Sequence, residues 1–281
     1  MSYDTYQCLQ VEIDRFVAFV TIDHPPINLF DRALMLEFHA LGKQLSVDAE
    51  VKVAVFQSAD PEFFIAHADI TSIQRIIEDG KREDDRPNFF QAMADRFRTM
   101  PKVTIAKIEG RARGGGSELA LAMDMVFAAQ GRAILSQPEV LLGIFPGGGG
   151  TQRLPGRVGR GRAMEIILGC EDFPADLAER YGYINRALPP AELGPFVEKL
   201  AYRIASFPLE AIALAKEAIN AADPGLTGRL VQETRLFNKV LESEGAIRRM
   251  ARFMEIGGQT REVEMRDFGA IAEEMGAGQA N

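Results

Sequence analysis

Two glutamates stand at points where the chain enters apolar segments. Glu118 lies in RARGGGSELALAMD, where three glycines precede it and every residue from Leu119 to Met123 is apolar. A helix there has no polar stripe and should be buried on all sides. Glu139 lies in SQPEVLLG, between a proline that fixes the local backbone and another apolar run. The two are 21 positions apart, and if they converge on one pocket they form a carboxylate pair whose members can divide general acid and base work.

The glycines before Glu118 allow two readings. If Gly115 is the N-cap, Glu118 stands three residues on, where its carboxylate reaches back to unpaired N–H groups. Alternatively the glycines let a backbone N–H approach a ligand, and the helix end stabilises negative charge developing there.

Other chemistries find less support. His24, His39 and His67 are far apart and belong to no H-E-x-x-H or cysteine pair, which disfavours zinc. Around Ser117 the stretch GGSEL lacks the final glycine of a nucleophile elbow. Neither glycine cluster ends in Gly-Lys-Ser/Thr, so a phosphate loop is not expected.

Composition points the same way. The 281 residues are 47% hydrophobic and carry a formal charge of −8, which suits a globular chain and disfavours nucleic-acid or anionic-membrane binding. Cys8 and Cys170 form no C-x-x-C pair and fit a reducing compartment. The N-terminal MSYDTYQCLQVEIDRF has no basic n-region or apolar h-region, and no apolar run approaches the roughly 20 residues that span a bilayer. A soluble cytoplasmic protein is the expectation.

The elements that must position the glutamates follow from periodicity. VEIDRFVAFVTIDHP (11–25) predicts two strands joined by a turn at Asp14-Arg15, residues 31–46 a helix, VKVAVFQS (51–58) a strand, and PEFFIAHADI (61–70) a short apolar segment running into a helix. EDGKREDDRP (78–87) reads as a charged loop, residues 89–99 as a helix and VTIAKIEG (103–110) as a strand leading into the glycines. MVFAAQ (125–130) and AILSQPEV (133–140) read as extended, with a second glycine cluster at 144–156. From about residue 160 the pattern is mainly helical, with one short strand near YINRAL, and the last 25 residues suggest one short helix and a frayed end. The strand-helix alternation argues for an α/β fold.

At this point a family resemblance becomes specific. IAHADI, GGGSELALAMD and SQPEVLLGIFPGGGGTQRL follow the order and spacing of the enoyl-CoA hydratase/isomerase, or crotonase, family, and the resemblance extends from about residue 10 to residue 245. It implies a spiral of repeated β-β-α units, taken here as residues 1–190, followed by a helical oligomerisation region over 191–281 that builds trimers or hexamers. It also implies an acyl-CoA thioester substrate, with coenzyme A as part of that substrate and no metal or redox cofactor. By position, the backbone N–H groups of Ala68 and Gly115 would form an oxyanion hole, Glu118 would activate a water and Glu139 would supply a proton. Ala66, His67, Ile70 and Gly147 would line the substrate site. Hydration of a 2-enoyl-CoA is thus the expected reaction; a Δ3-Δ2-enoyl-CoA isomerase and a non-catalytic or RNA-associated binding protein are the alternatives.

Two features depart from the family. His67 stands where a glycine or another small residue is more usual, and the tail lacks the family's lysine-rich ending. Arg248, Arg249 and Arg252 are the remaining candidates for contacts to the CoA nucleotide.

Overall fold

The computed structural model describes residues 2–79 and 85–277. In chain order the elements are β1 (Leu9–Asp14), β2 (Val17–Ile22), α1 (Arg32–Val47), β3 (Val53–Ser58), β4 (Phe63–Ile65), α2 (Ile70–Asp79), α3 (Phe89–Thr99), β5 (Val103–Ile108), β6 (Arg111–Arg113) and α4 (Gly115–Ala122). They continue with β7 (Met125–Ala129), β8 (Ile134–Ser136), a 3-10 turn (Glu139–Leu142), α5 (Gly150–Val158), α6 (Arg160–Gly169), β9 (Phe173–Pro174), α7 (Ala175–Tyr181) and β10 (Arg186–Leu188). Helices α8 (Pro190–Ala205), α9 (Leu209–Ala221), α10 (Leu226–Leu241), α11 (Glu244–Glu255), α12 (Arg261–Glu264) and α13 (Phe268–Ala277) complete the chain.

From β3 to β8 successive strands alternate between two sheets, and this produces the β-β-α spiral. One sheet runs β1-β2-β3-β5-β7-β10 and the other β4-β6-β8-β9. Beyond the β1–β2 hairpin the larger sheet is parallel, so its strands carry continuous apolar runs covered on both faces; Val53, Ala54, Val55 and Phe56 of β3 are all buried. Phe56 packs with Phe38 of α1 and Phe97 of α3 at ring separations of 6.0 and 5.3 Å. The register places Phe56 level with Ala106 and Val126, so Phe127 points to the opposite face, where it meets Phe196 of α8 at 5.1 Å.

The expected strands and helices form, with informative differences. The hairpin turn centres on Arg15 and Phe16, both at positive φ, one residue later than the polar pair suggested. Strands β6 and β9 were not expected: β6 is the Arg-Ala-Arg leading into the glycines, too short and too basic to show an apolar period. Helix α2 continues to Asp79, so the charged loop starts later than residue 78, and residues 80–84 of it lie outside the described residues. The tail folds as two helices, α12 and α13; residues 278–281 lie outside the described residues. Among the described residues no helix is long and apolar enough to cross a membrane.

The C-terminal helices pack onto the same structure that carries the glutamates. Leu241, Met250, Phe253 and Phe268 share one buried apolar cluster with Ile70, Leu141 and Ile144.

The glycines before α4 are required for steric reasons. Gly114 adopts φ +48°, and α4 lies so close to β4 that a Cβ on Gly116 would stand 2.5 Å from the Ile65 carbonyl oxygen. Gly116→Ala should therefore destabilise the fold by ~1–3 kcal/mol through overpacking. Gly161→Ala in α6, where an added methyl meets nothing within 4 Å, should be neutral or gain up to ~1 kcal/mol from helix propensity. Urea unfolding of the two variants checks this, and equal stabilities would contradict the close α4–β4 approach.

Candidate active site

The spiral brings the two glutamates to one cavity of about 1000 Å³, within the range of small-molecule sites. Glu118 and Glu139 both line it, as do His67, Ala68, Ile70, Gly114, Gly115 and Gly147. Ala66 does not reach it: that residue is fully buried with Ile27 and Phe63.

Glu118 does not cap its own helix. The N-cap of α4 is Gly114 with no side-chain bond, and Glu118 Oε1 instead accepts from the N–H groups of Gly148 at 2.7 Å and Gly150 at 2.8 Å. Gly150 begins α5, whose first N–H groups have no partner within the helix, and Gly148 lies just ahead of its N-cap Gly149. The second glycine cluster therefore serves the first. A Cβ on Gly148 would come within 2.6 Å of Glu118 Oε2.

Glu139 sits in a different environment at the start of the 3-10 turn. Its Oε2 is enclosed and has no hydrogen-bond partner among the described residues. Burial raises the Glu118 pKa to about 6, against the two backbone N–H groups and Arg153, which pull it down. Burial raises Glu139 further, well above the ordinary carboxylate range, and the neighbouring Glu118 charge adds to the shift. One carboxyl is thus set to ionise near neutrality while the other retains its proton.

Ala68 and Gly115 are adjacent. A Cβ on Gly115 would lie 3.5 Å from the Ala68 nitrogen. Phe30 N donates to the His67 carbonyl at 2.9 Å and Asp69 N to the Phe30 carbonyl at 3.2 Å, which leaves the Ala68 N–H facing away from this bridge. The Gly115 N–H is the first of α4 and has no intrahelical acceptor. Neither N–H has an acceptor among the described residues. Ser117, by contrast, is bound to Tyr183 Oη at 2.5 Å and to Gln137 Nε2 at 3.2 Å.

Several polar residues around the site were not expected. Glu233 of α10 accepts from Thr151 N at 3.1 Å, from the Thr151 hydroxyl and from Gln91 Nε2 at 2.7 Å. Gln91 Nε2 and Asn88 Nδ2 also hold the Gly147 carbonyl, at 3.1 and 2.8 Å, and Arg153 Nη1 holds that of Gly148 at 3.0 Å. A signal for Glu233 existed: it falls three residues after Leu230 and seven after Leu226, inside the buried stripe of an amphipathic helix. The arginines of α11 are already engaged. Arg248 pairs with Glu244, Arg252 with Glu255, and Arg249 donates to the Leu141 carbonyl. Among the described residues no group of three or more His, Cys, Asp or Glu could hold a metal.

Much of the rest of the cavity wall is apolar and drawn from distant parts of the chain, with Met35 of α1, Ile73 of α2, Phe89 and Phe90 of α3, and Phe237 and Leu241 of α10, while Arg86, Asn88, Thr234 and Asn238 also reach it.

Known proteins show the same arrangement of chain. The family model described as enoyl-CoA hydratase/isomerase matches residues 12–260. A Rhizobium meliloti protein described as a probable enoyl-CoA hydratase is 35% identical over 257 residues, covering 90% of this chain and 96% of its own. The crotonyl-CoA hydratase of Syntrophomonas wolfei is 36% identical over 220 residues, covering 76% and 82%. A solved chain from Streptomyces avermitilis, itself provisionally assigned as an enoyl-CoA hydratase, superposes with a TM-score of 0.88 at 38% identity over 97% of this chain and 100% of its own. The chain belongs to the enoyl-CoA hydratase/isomerase family.

Glu233 provides a test of the site's electrostatics. Burial first, then the Glu118 charge, raise it to about 8, against the pull of Thr151, Gln91 and Arg153. A carboxyl whose folded pKa exceeds its unfolded value contributes stability that is present at low pH and lost as pH rises through the folded pKa. Wild-type Tm should therefore fall between about pH 5 and about pH 8, and Glu233→Gln should flatten that fall. Thermal melts across this range check it; an unchanged slope in the variant would remove Glu233 as the titrating group.

Proposed function

We propose that this protein hydrates 2-enoyl-CoA thioesters. The observation that carries the proposal is the asymmetric pair: Glu118 and Glu139 line one cavity, one anchored by two N–H groups and the other without a partner for Oε2, beside two unpaired backbone donors.

In this reading the thioester oxygen accepts from the Ala68 and Gly115 N–H groups. As water adds to C3 the carbonyl gains enolate character, and donors aimed at charge that develops only during reaction often supply the largest catalytic contribution. Glu118, titrating at about 6, is mostly ionised at neutral pH and takes a proton from the attacking water. Glu139, whose carboxyl is held protonated, delivers a proton to C2. The water oxygen forms the new C3–O bond, the C2=C3 π pair takes the proton at C2, and the two carboxyls exchange protonation states. No step requires a metal or a redox cofactor, and coenzyme A enters as part of the substrate.

The family membership and the relatives named as hydratases support this reading. Glu118→Gln and Glu139→Gln should each lower hydration by about two to four orders of magnitude with little change in Tm. The double variant should be little worse than either single one, because the pair acts as a unit. Wild-type kcat/KM should rise as pH passes through about 6 and Glu118 ionises, then fall at higher pH as Glu139 loses its proton. A panel of 2-enoyl-CoA thioesters followed by loss of the conjugated chromophore checks these outcomes. Conversion of a 3-enoyl-CoA without water addition would replace hydration by isomerisation.

We also infer assembly into a homotrimer or hexamer. The support is exposed apolar surface: Leu168 of α6 is 60% exposed, and Leu214 and Ile219 of α9 are 57% and 73% exposed. Light scattering should give three or six times the chain mass, and a stable monomer would exclude both.

A further inference from the structure

A second polar cluster lies beside the two backbone donors and involves none of the three glutamates discussed so far. His67 Nδ1 is 2.8 Å from the carbonyl oxygen of Ala68, and Nε2 is 2.9 Å from Glu264 Oε1 on α12. A carbonyl oxygen only accepts. Glu264 Oε1 also accepts from Gln259 N at 2.9 Å, and the Arg113 guanidinium stands 3.8 Å from its other oxygen. These surroundings hold Glu264 in its carboxylate form. With an acceptor at each ring nitrogen, His67 must donate from both, and only the imidazolium can do so.

The charges around this imidazolium come from every side. They are Glu264 of α12, Arg113 of β6, Asp172 behind Arg113 and Asp69 in its own loop, while Glu139, across Gly114, keeps its proton and adds no charge. Burial pulls the His67 pKa down, but Glu264 and the Ala68 carbonyl outweigh burial and the Arg113 charge, and the net shift is upward. Burial pulls Glu264 up, and His67, Gln259 and Arg113 reverse that. Phe253 packs at 5.9 Å and shields the pair from water.

The placement of this cluster in the chain gives it a use. His67 directly precedes Ala68, and Arg113 is separated from Gly115 only by Gly114. Arg113 Nη1 donates to the Glu264 carbonyl at 2.6 Å, Nη2 to that of Arg266 at 2.8 Å, and Nε to Asp172 Oδ1 at 2.8 Å. Gln259 completes the clamp: its Oε1 accepts from Ile70 N at 2.6 Å and its Nε2 donates to Asp69 Oδ1 at 3.0 Å. One short C-terminal segment, residues 259–266, therefore grips both loops whose N–H groups face the cavity.

We propose that His67, as an imidazolium, and Glu264 are positioning residues: together with Arg113 they fix the spacing and direction of the Ala68 and Gly115 N–H groups and place positive charge next to the bound thioester oxygen. The proposal rests on the thioester reading above. Stability alone does not account for the cluster, since buried ion pairs are often no more stabilising than apolar replacements of similar volume. Its distinctive consequence is carbonyl polarisation.

The test uses the full-length chain and two spectroscopic readouts. Nitrogen-15 spectra of histidine-labelled wild type should show His67 doubly protonated at about pH 8, where a histidine of unperturbed pKa is neutral. Glu264→Gln should render it neutral at that pH. Butyryl-CoA labelled with carbon-13 at the carbonyl cannot be hydrated, so its bound shift reports polarisation without turnover. We expect a downfield shift on wild type that is largely lost in both Glu264→Gln and His67→Gln, while affinity changes by less than about tenfold, as for a loss of oriented donors rather than of the whole site. A neutral His67 in wild type, or an undiminished carbonyl shift in a folded variant, would overturn the proposal. No carbonyl shift on wild type would remove the thioester reading and this proposal with it; a shift without hydration of any enoyl-CoA would defeat only the hydratase assignment.

Discussion

The contact between the Glu118 carboxylate and the N–H groups of Gly148 and Gly150 is the constraint from which much of the site follows. A carboxylate removed from water is costly unless donors replace the water. The chain supplies them from the entry to α5: the Gly150 N–H, which has no helical partner, and the Gly148 N–H just before the N-cap. Meeting that need brings backbone to within contact distance of a side chain, which excludes a Cβ at Gly148 and crowds one at Gly150. Glu233 then takes the next N–H of the same turn, Thr151, so two carboxylates share one helix end. Their mutual repulsion accounts in part for the raised pKa of Glu233, and Arg153 offsets part of it from the side of the helix.

That anchoring also separates the chemistry of the two glutamates. Glu118 has donors and Glu139 Oε2 has none, so the same loss of water leaves one carboxyl able to ionise and the other protonated. The two backbone donors arise from unrelated causes. Ala68 has a free N–H because its neighbours His67 and Asp69 take the bridge to Phe30, and Gly115 has one because it begins a helix. Four polar groups with four separate origins reach one place because, from β3 to β8, the spiral sends every second strand to the smaller sheet, from which the chain re-enters toward the same cavity.

Much of this was legible in the sequence where the signal is local. The apolar run 119–123 announced a buried helix, and the parallel strands announced themselves by apolar runs without alternation, as at β3. The family motifs located Glu118, Glu139, Ala68 and Gly115. What could not be read was partnership. Capping by Glu118 within its own helix is the local choice, and the acceptor role at α5, 30 residues away, depends on how two helices meet. Ala66 shares a motif with His67 and Ala68, yet it packs with Ile27 and Phe63 away from the cavity, a tertiary contact that the motif does not encode. Strand β6 escaped detection because Arg111 and Arg113 hide a three-residue strand whose arginines are held by tertiary carboxylates.

His67 shows the same limit from the other side. As a letter in IAHADI it reads only as a bulky substitution for a small residue. Its consequence lies 197 residues away at Glu264, on a four-residue helix whose Thr260 cap marks its start but not its partner. A small residue at position 67 would leave Glu264 and Arg113 to neutralise each other without the imidazole, and the 259–266 segment would lose its direct bond to the loop before Ala68. Histidine and the C-terminal segment therefore depend on each other: the carboxylate makes the buried imidazolium tolerable, and the imidazolium gives that carboxylate a further partner beside the Gln259 N–H and Arg113. His67 in one donor loop is thus matched by Glu264 from the C-terminal segment, and through its carbonyl Glu264 also restrains Arg113 and the strand that leads to the second donor.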